Sequence, residues 1–352
     1  MIQKDCTSNK WISEIAKIKK ADKVLVQKLI RALILLEGLS ESKLNFVFKG
    51  GTALMLMLNS TKRLSIDIDI IVSEKVEKLN VILSQIAINK GFTRVEEQYR
   101  KVISGIEKAH YKFYFPNSLK TDDEEYVLLD ILFEDSHYSN LVSTPIQSSF
   151  LRQEGEIIKT LTPDFNNIMG DKLTAFAPNT TGIPYFKKEK LMGQEIIKQL
   201  YDIGNIFEKI DNLTIVKDVF YSFAIVELQY RNMGENVNIV LEDIIENCLS
   251  ISTRQNVGNA NFEVLLLGLK QIATYIFSET YHIEKAIIHS ARIAYLVALM
   301  QSETLIELYN NRIDMTDWLI VQPNNTKLNK LKKTNPEAFY YWFKFYSLKI
   351  QV

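Results

Sequence analysis

The spacing of apolar side chains along the chain changes near residue 165. Before this point, short stretches with apolar residues at alternate positions predict strands, and stretches with helical spacing lie between them. Beyond it the alternation fades, and nearly every apolar stretch has helical spacing. The pattern predicts an α+β fold in which residues 1–165 form a small mixed sheet with helices and residues 166–352 form an all-α domain.

The periodicity also predicts individual elements. Predicted strands cover residues 45–48, 65–72, 93–99, 109–115, 126–133 and 156–160. Predicted helices cover 11–38, a short stretch from Thr52, 76–90, 166–176, 190–209, 216–230, 240–247, 260–277, 284–309 and 336–348. Gly38 is the predicted stop of the first of these helices and Gly91 ends the helix 76–90, since glycine commonly ends a helix.

A glycine pair and two aspartates lie close together in the most informative part of the sequence. Gly50 and Gly51 join the strand at 45–48 to the helix from Thr52, so their backbone N–H groups can approach a phosphate beside a positive helix end. Alternation in the next strand places Asp67 and Asp69 on one face. Neighbouring carboxylates repel each other, and a bound pair of divalent cations would neutralise that repulsion. The two aspartates are therefore candidate metal ligands.

The fuller motif in this region is KGGTAL followed, after a helix-length gap, by Arg63-x-Ser-x-Asp-Ile-Asp. It resembles the AbiEii/AbiGii-type nucleotidyltransferase-like toxins, a branch of the DNA polymerase β-like superfamily. The resemblance implies a polymerase-β-like nucleotidyltransferase domain and a helical domain that completes the active-site cleft. It also implies an NTP co-substrate with Mg²⁺ or Mn²⁺, and phosphate contacts from Gly50, Gly51 and Thr52. A glycine turn with a Thr N-cap is the plainer alternative for these three residues.

Asp130 is a candidate third carboxylate. It lies within the otherwise apolar strand 126–133, where an acidic side chain is costly to bury unless it is paired or metal-bound. We predict that Asp67, Asp69 and Asp130 bind the metal, and that Asp130 acts as ligand, general base or both. The alternative is an edge-strand aspartate that faces water.

Two further side chains precede the aspartates along the chain. Ser65 shares their strand face, so it could hydrogen-bond a phosphate or accept one as a nucleophile, or simply be a small residue at a crowded site. Arg63 is placed to contact phosphate, or is a solvated charge at the start of the strand. Both remain candidate site residues.

The resemblance also points to two residues in the helical half. Lys172 matches the family's Lys-x-x-Ala and would reach the triphosphate as a point charge. Asp202, in Tyr201-Asp202-Ile203, matches part of a second family motif whose upstream Arg-Asp is missing here. The alternatives are a solvated Lys172 and an i,i+4 surface pair between Lys198 and Asp202.

Two basic stretches and the histidines complete the list of candidates. The lysines of 187–190 lie in a loop, and those of 327–333 precede an aromatic run at 339–346 that could stack RNA bases. Packing of these aromatics on the core is the favoured interpretation of the second stretch. The four histidines show no metal-ligand spacing, and no role is assigned to them.

The amino-acid composition argues against several classes of protein. Lys plus Arg and Asp plus Glu both number 42, and this balance argues against a general nucleic-acid coat protein while allowing a local basic patch. The two cysteines have no metal-ligand pattern, and no stretch reaches the roughly 18 apolar residues of a membrane helix. The N-terminus has no apolar signal-peptide core. We expect a cytoplasmic protein that is not bound to a membrane.

These inferences lead to one functional prediction. The chain is expected to be the toxin of a toxin–antitoxin or phage-defence (abortive-infection) pair, and to transfer a nucleotide from an NTP to a cellular acceptor. tRNA is the leading acceptor, and an antitoxin protein is a further expected partner. The alternatives are a nucleotidyltransferase of small molecules such as antibiotics, and a scaffold that binds nucleotide without catalysis.

Overall fold

The computed structural model describes residues 1–58, 62–74, 76–99, 107–302 and 304–349. The chain divides into two compact units. The N-terminal unit consists of Met1–Asp164 with Thr274–Thr280, and the helical unit consists of Phe165–Ala273 with Tyr281–Val352. The excursion at 274–280 is a feature that the predicted division at residue 165 did not include.

The N-terminal unit combines four α-helices with seven strands within its described residues. The helices are α1 (Asn9–Lys19), α2 (Lys23–Glu41), α3 (Gly50–Met57) and α4 (Leu79–Asn89), and a 3-10 turn covers Lys4–Thr7. The strands are β1 (Val47–Lys49), β2 (Ile68–Val72), β3 (Arg94–Glu97), β4 (Glu107–Pro116), β5 (Glu124–Phe133), β6 (Leu141–Pro145) and β7 (Lys159–Pro163). No predicted strand corresponds to β6, and β7 lies a few residues later than the predicted strand 156–160.

Five strands form the main sheet, in the order β1-β2-β5-β4-β3. The β2–β5 pair is parallel and the other pairs are antiparallel. Strand alternation buries one face of β4 and β5, including Phe113, Leu129 and Ile131, as expected for a sheet with one apolar face. Helix α2 packs against this sheet and is buried along most of its length. β5 therefore lies in the interior of the sheet.

The predicted helix 11–38 is wrong as a single element, because the chain breaks between α1 and α2. Lys20 adopts a left-handed conformation with φ of 54° and ends α1. Asp22 then accepts a hydrogen bond from the Leu25 N–H and begins α2. Apolar spacing continues across the break, which is why periodicity alone did not reveal it.

The helical unit contains eight α-helices and one small hairpin within the described residues. The helices are α5 (Phe165–Ala175), α6 (Gly193–Ile206), α7 (Leu213–Tyr230), α8 (Asn238–Thr253), α9 (Phe262–Gln271), α10 (Ile283–Met300), α11 (Leu331–Thr334) and α12 (Pro336–Lys349). Strands β8 (Phe186–Lys187) and β9 (Lys190–Leu191) form the hairpin, and 3-10 turns cover Phe207–Lys209, Ile272–Thr274 and Pro323–Lys330.

Several helices of this unit are shorter than predicted. The predicted helix 284–309 ends at Met300, and one residue of its predicted remainder, 303, lies outside the described residues. The predicted helix 190–209 begins only at Gly193, since Lys190 and Leu191 belong to the hairpin. In the described ranges, no helix combines the length and apolar character needed to cross a membrane.

Candidate active site

The register of the main sheet brings two predicted carboxylates together. Asp69 of β2 lies directly opposite Asp130 of the parallel strand β5. Residues that pair in this way on adjacent strands point to the same face, and the strands lie about 4.8 Å apart. Asp69 is partly exposed, and the Asp130 side chain is 34% exposed. The alternative of an edge-strand Asp130 is wrong, because β5 lies between β2 and β4.

Asp67 is exposed and lies immediately before β2. The predicted strand 65–72 therefore begins later than expected, at Ile68. The carbonyl oxygen of Asp67 accepts a 2.7 Å hydrogen bond from Thr52 Oγ1. Thr52 is completely buried, so its side chain connects α3 to the aspartate segment, and its phosphate contact stays a prediction.

The glycine pair is packed tightly against the carboxylate segment. Gly50 has a φ of +81°, and a Cβ there would lie 2.2 Å from Asp69 Oδ2. A Cβ on Gly51 would lie 2.7 Å from both Ser65 Oγ and Arg63 Nη2. Only glycine fits at these two positions without displacing a neighbour. The glycine turn therefore packs directly against Asp69, Ser65 and Arg63.

We expect Gly50→Ala to lower nucleotide transfer at least roughly tenfold and to reduce the free energy of unfolding by about 1–2 kcal/mol, because the methyl group displaces Asp69 and strains the backbone. Transfer rates and urea unfolding measure the two effects. Gly155→Ala is the matched control: its φ is +70°, and a Cβ there has no neighbour within 4 Å. Equal losses in both variants would show that crowding at Asp69 is unimportant.

Arg63 is buried, so the alternative of a solvated charge is wrong. It forms an isolated β-bridge with Ile276, and the Leu64 N–H donates a 2.8 Å hydrogen bond to the carbonyl of Tyr275. Phe277 packs edge-on against Phe150 in the same unit. The excursion 274–280 thus anchors the chain just before the aspartates. Contact of Arg63 or Ser65 with a phosphate stays a prediction.

His110 is a site residue that the sequence analysis missed. It lies opposite Asp130 on the antiparallel strand β4, and its Nδ1 is 2.6 Å from Asp130 Oδ1. Its side chain is only 13% exposed, and a donated hydrogen bond here fixes the orientation of the carboxylate. The pair follows from a β4–β5 register centred on residue 120, whereas the acidic stretch 122–125 that the sequence suggested as the turn would place His110 opposite residue 137.

We expect His110→Ala to lower transfer roughly 10- to 100-fold through loss of this orientation, the usual range for a partner of a ligating side chain. His110→Asn, which keeps a side-chain N–H donor, should recover part of the loss. Steady-state kinetics separate kcat from KM for the NTP. Lys108→Ala, an exposed change on the same strand, is the control. If His110→Ala and Lys108→Ala transfer nucleotide at the same rate, His110 does not position Asp130.

Lys172 and Asp202 form a buried ion pair between α5 and α6. Lys172 Nζ lies 2.8 Å from Asp202 Oδ2 and donates a 3.2 Å hydrogen bond to Gln199 Oε1. The two charged side chains are 7% and 5% exposed. The solvated-lysine and surface-pair alternatives are therefore wrong. The structure brings together the two residues that the resemblance selected, and their action on a triphosphate stays a prediction.

The metal site also remains a prediction. Within the described ranges, no group of three or more His, Cys, Asp or Glu side chains is assembled so that it could bind a metal ion. The donor set nevertheless fits Mg²⁺ or Mn²⁺ in kind, since carboxylate oxygens are the ligands these ions prefer. Asp69 and Asp130 are adjacent by register, and Asp67 is two residues from Asp69.

Several other side chains of the helical unit have structural roles. The aromatic residues of α12 are largely buried, as the favoured interpretation predicted: Phe339, Tyr340, Tyr341, Trp342, Phe345 and Tyr346. His289 is buried in the helical unit beside the Tyr281 hydroxyl, and burial lowers its pKa to about 3, so it is neutral at physiological pH. Burial likewise raises the pKa of the Cys248 thiol and makes it unreactive.

Comparison with known proteins adds one family match. The model of the family described as nucleotidyl transferase AbiEii toxin, type IV TA system, matches residues 34–247. No curated protein matches the chain.

Solved structures similar to this chain include two examples at low sequence identity. JHP933 from Helicobacter pylori has 13% identity and a TM-score of 0.43, with 80% of this chain and 95% of that one covered. MenT4, a nucleotidyltransferase toxin from Mycobacterium tuberculosis H37Rv, has 11% identity and a TM-score of 0.43, with 94% and 98% covered. The functional conclusions rest on the family match.

Proposed function

Since this chain belongs to the AbiEii family of nucleotidyltransferase toxins of type IV toxin–antitoxin systems, we propose that it transfers a nucleotide from a metal-bound NTP to tRNA. The family is of the polymerase-β-like type and implies an antitoxin as partner. The observation that supports the reaction best is the in-register pairing of Asp69 with Asp130 beside the Gly50–Gly51 turn.

In the proposed reaction, an acceptor hydroxyl attacks the α-phosphorus of the NTP. A new phosphorus–oxygen bond forms, the bond to the β-phosphate breaks, and pyrophosphate leaves. The hydroxyl proton passes to Asp130, whose orientation His110 fixes. Asp67, Asp69 and Asp130 would bind Mg²⁺ or Mn²⁺, which supplies charge neutralisation at the transferring phosphate.

The glycine turn and the basic residues have positioning roles in this proposal. The N–H groups of Gly50 and Gly51 would bind phosphate oxygens at the start of α3. Ser65 and Arg63, which approach Gly51, would extend the same phosphate contact. Lys172 would neutralise the triphosphate, and Asp202 orients its ammonium group through the 2.8 Å ion pair.

A transfer assay tests the proposal. The purified protein is incubated with each of four α-³²P-labelled NTPs, Mg²⁺ or Mn²⁺, and total bacterial RNA, beside an Asp67→Ala/Asp69→Ala variant. Label in a tRNA-sized band that is absent with the variant supports the reaction and identifies the nucleotide. Label on the protein would redirect the proposal to a protein hydroxyl such as that of Ser65. NTP binding without any transfer to RNA would overturn it in favour of a small-molecule acceptor or a scaffold.

A further inference from the structure

The hairpin Phe186–Leu191 of the helical unit is exposed at every position. We call it the basic hairpin, because it carries three lysines and a single acidic residue, Glu189. The chain as a whole has no net charge, so this concentration of positive charge is local. A local basic patch on a neutral protein is a candidate surface for a polyanion.

The arrangement of the lysines in the basic hairpin destabilises the hairpin when no partner is bound. Lys187 and Lys190 lie directly opposite each other, and like charges at opposed positions destabilise a strand pair. Lys188, at the tip, adopts a left-handed conformation with φ of +56°, which is unfavourable for a residue with a side chain. Among the described residues, none of these three lysines pairs with a carboxylate. An external anion would relieve the repulsion.

The second pair of the hairpin is apolar and also exposed. Phe186 lies opposite Leu191, and the two residues are 52% and 38% exposed. An aromatic ring in solvent beside unpaired lysines is the combination that binds an RNA strand, because bases stack on the ring while lysines neutralise phosphates. Phosphate groups alone, or an acidic protein surface, would not use an exposed ring in this way.

The base of the hairpin is firmly held. The Met192 N–H donates a 2.9 Å hydrogen bond to the Tyr185 carbonyl, and the buried Tyr185 hydroxyl donates to Asn247. Just upstream of the hairpin, the Asn179 N–H donates a 2.8 Å hydrogen bond to the Asp243 carboxylate of α8. A binding element on a fixed base loses little conformational entropy when its partner binds.

We propose that the basic hairpin is an RNA-binding element, in which Lys187, Lys188 and Lys190 contact backbone phosphates and Phe186 stacks against a base. The inference rests on the proposed RNA acceptor and adds the surface that binds it. The contact is independent of nucleotide and metal, so binding can be measured without catalysis.

The test is the binding of fluorescein-labelled tRNA to the full-length chain, followed by fluorescence anisotropy over a range of NaCl concentrations without NTP or divalent metal. For Lys187→Ala/Lys190→Ala we expect the Kd to rise roughly tenfold and the slope of log Kd against log salt to fall by about 2, one for each lost phosphate contact. Lys187→Arg/Lys190→Arg should bind like the wild type. Phe186→Ala should weaken tRNA, which has a single-stranded 3′ end, more than a blunt RNA duplex.

The matched control is Lys330→Ala/Lys333→Ala, which removes the same charge from exposed positions of the same unit. Because the exchanged side chains are all exposed, no variant should lose stability to urea, and Lys187→Ala/Lys190→Ala should gain slightly since it removes the repulsion between the opposed lysines. An unchanged Kd and salt slope in Lys187→Ala/Lys190→Ala, or equal losses in the control, would overturn the hairpin's role and leave the proposed transfer to RNA intact. If the wild type neither binds nor labels tRNA, the proposed acceptor fails, and the inference with it.

Discussion

Changing Asp69 to asparagine is expected to lower nucleotide transfer by on the order of 10³ or more while the protein stays folded. The change removes one of two carboxylates that lie side by side on the same face of β2 and β5. In the proposed reaction these carboxylates would hold the metal ion that neutralises the transferring phosphate. That neutralisation is worth several kcal/mol, and each 1.36 kcal/mol corresponds to a factor of about ten. Asp69 is partly exposed, so its loss should change the free energy of unfolding by no more than about 1 kcal/mol.

Single-turnover transfer rates and urea unfolding together test this expectation. Asp135→Asn is the matched control, since it is the same chemical change at an exposed position shortly after β5 and should retain normal activity. Isothermal titration with Mn²⁺ supplies a readout that does not depend on turnover, and Asp69→Asn should weaken binding. If the Asp69→Asn variant keeps more than a tenth of the wild-type transfer rate, Asp69 is not a catalytic residue.

Replacing Lys172 with methionine is expected to have the largest effect on stability, a loss of about 3–5 kcal/mol in the free energy of unfolding. Both partners of the Lys172–Asp202 pair are buried, so removal of the lysine takes away the positive charge that lies against a carboxylate shielded from water. The Gln199 amide remains beside Asp202 on the same helix, but a neutral amide does not replace a charge. Urea unfolding followed by circular dichroism measures the loss.

Two further variants isolate the cause. Lys172→Met/Asp202→Leu removes both charges and should recover most of the stability, because a buried pair replaced by apolar side chains is often neutral or stabilising. Lys198→Met breaks the more exposed Lys198–Glu195 pair and should cost no more than about 1 kcal/mol. If the double variant folds normally but transfers no nucleotide, the pair serves the reaction. Similar losses from Lys172→Met and Lys198→Met would show that burial of the pair does not matter.

Local patterns were enough to predict the parts of the fold that depend on neighbours in sequence. Apolar spacing revealed the change from mixed to helical structure near residue 165, and the α+β prediction with a polymerase-β-like domain is confirmed by the family match. Element ends were less accurate. The break at Lys20 and the early end of α10 at Met300 are invisible to periodicity, because apolar spacing continues past both points.

The candidate site shows the same division. The glycine turn and the aspartate segment were identifiable from the sequence because all of their functional residues lie within one short motif. His110 was missed because its role depends on the register of β4 against β5, a pairing between residues twenty positions apart. The burial of Arg63 was missed for a similar reason, since the segment that covers it, 274–280, is remote in sequence.

By itself, the sequence determined which residue types are available for nucleotidyl transfer and the order in which they occur, because glycine conformation, carboxylate charge and strand alternation are local properties. Only the tertiary structure decided which of them meet. It placed Asp130 beside Asp69, His110 against Asp130 and Lys172 against Asp202. Sheet register and helix packing are set by burial of the whole apolar surface, and no short stretch of sequence contains that information.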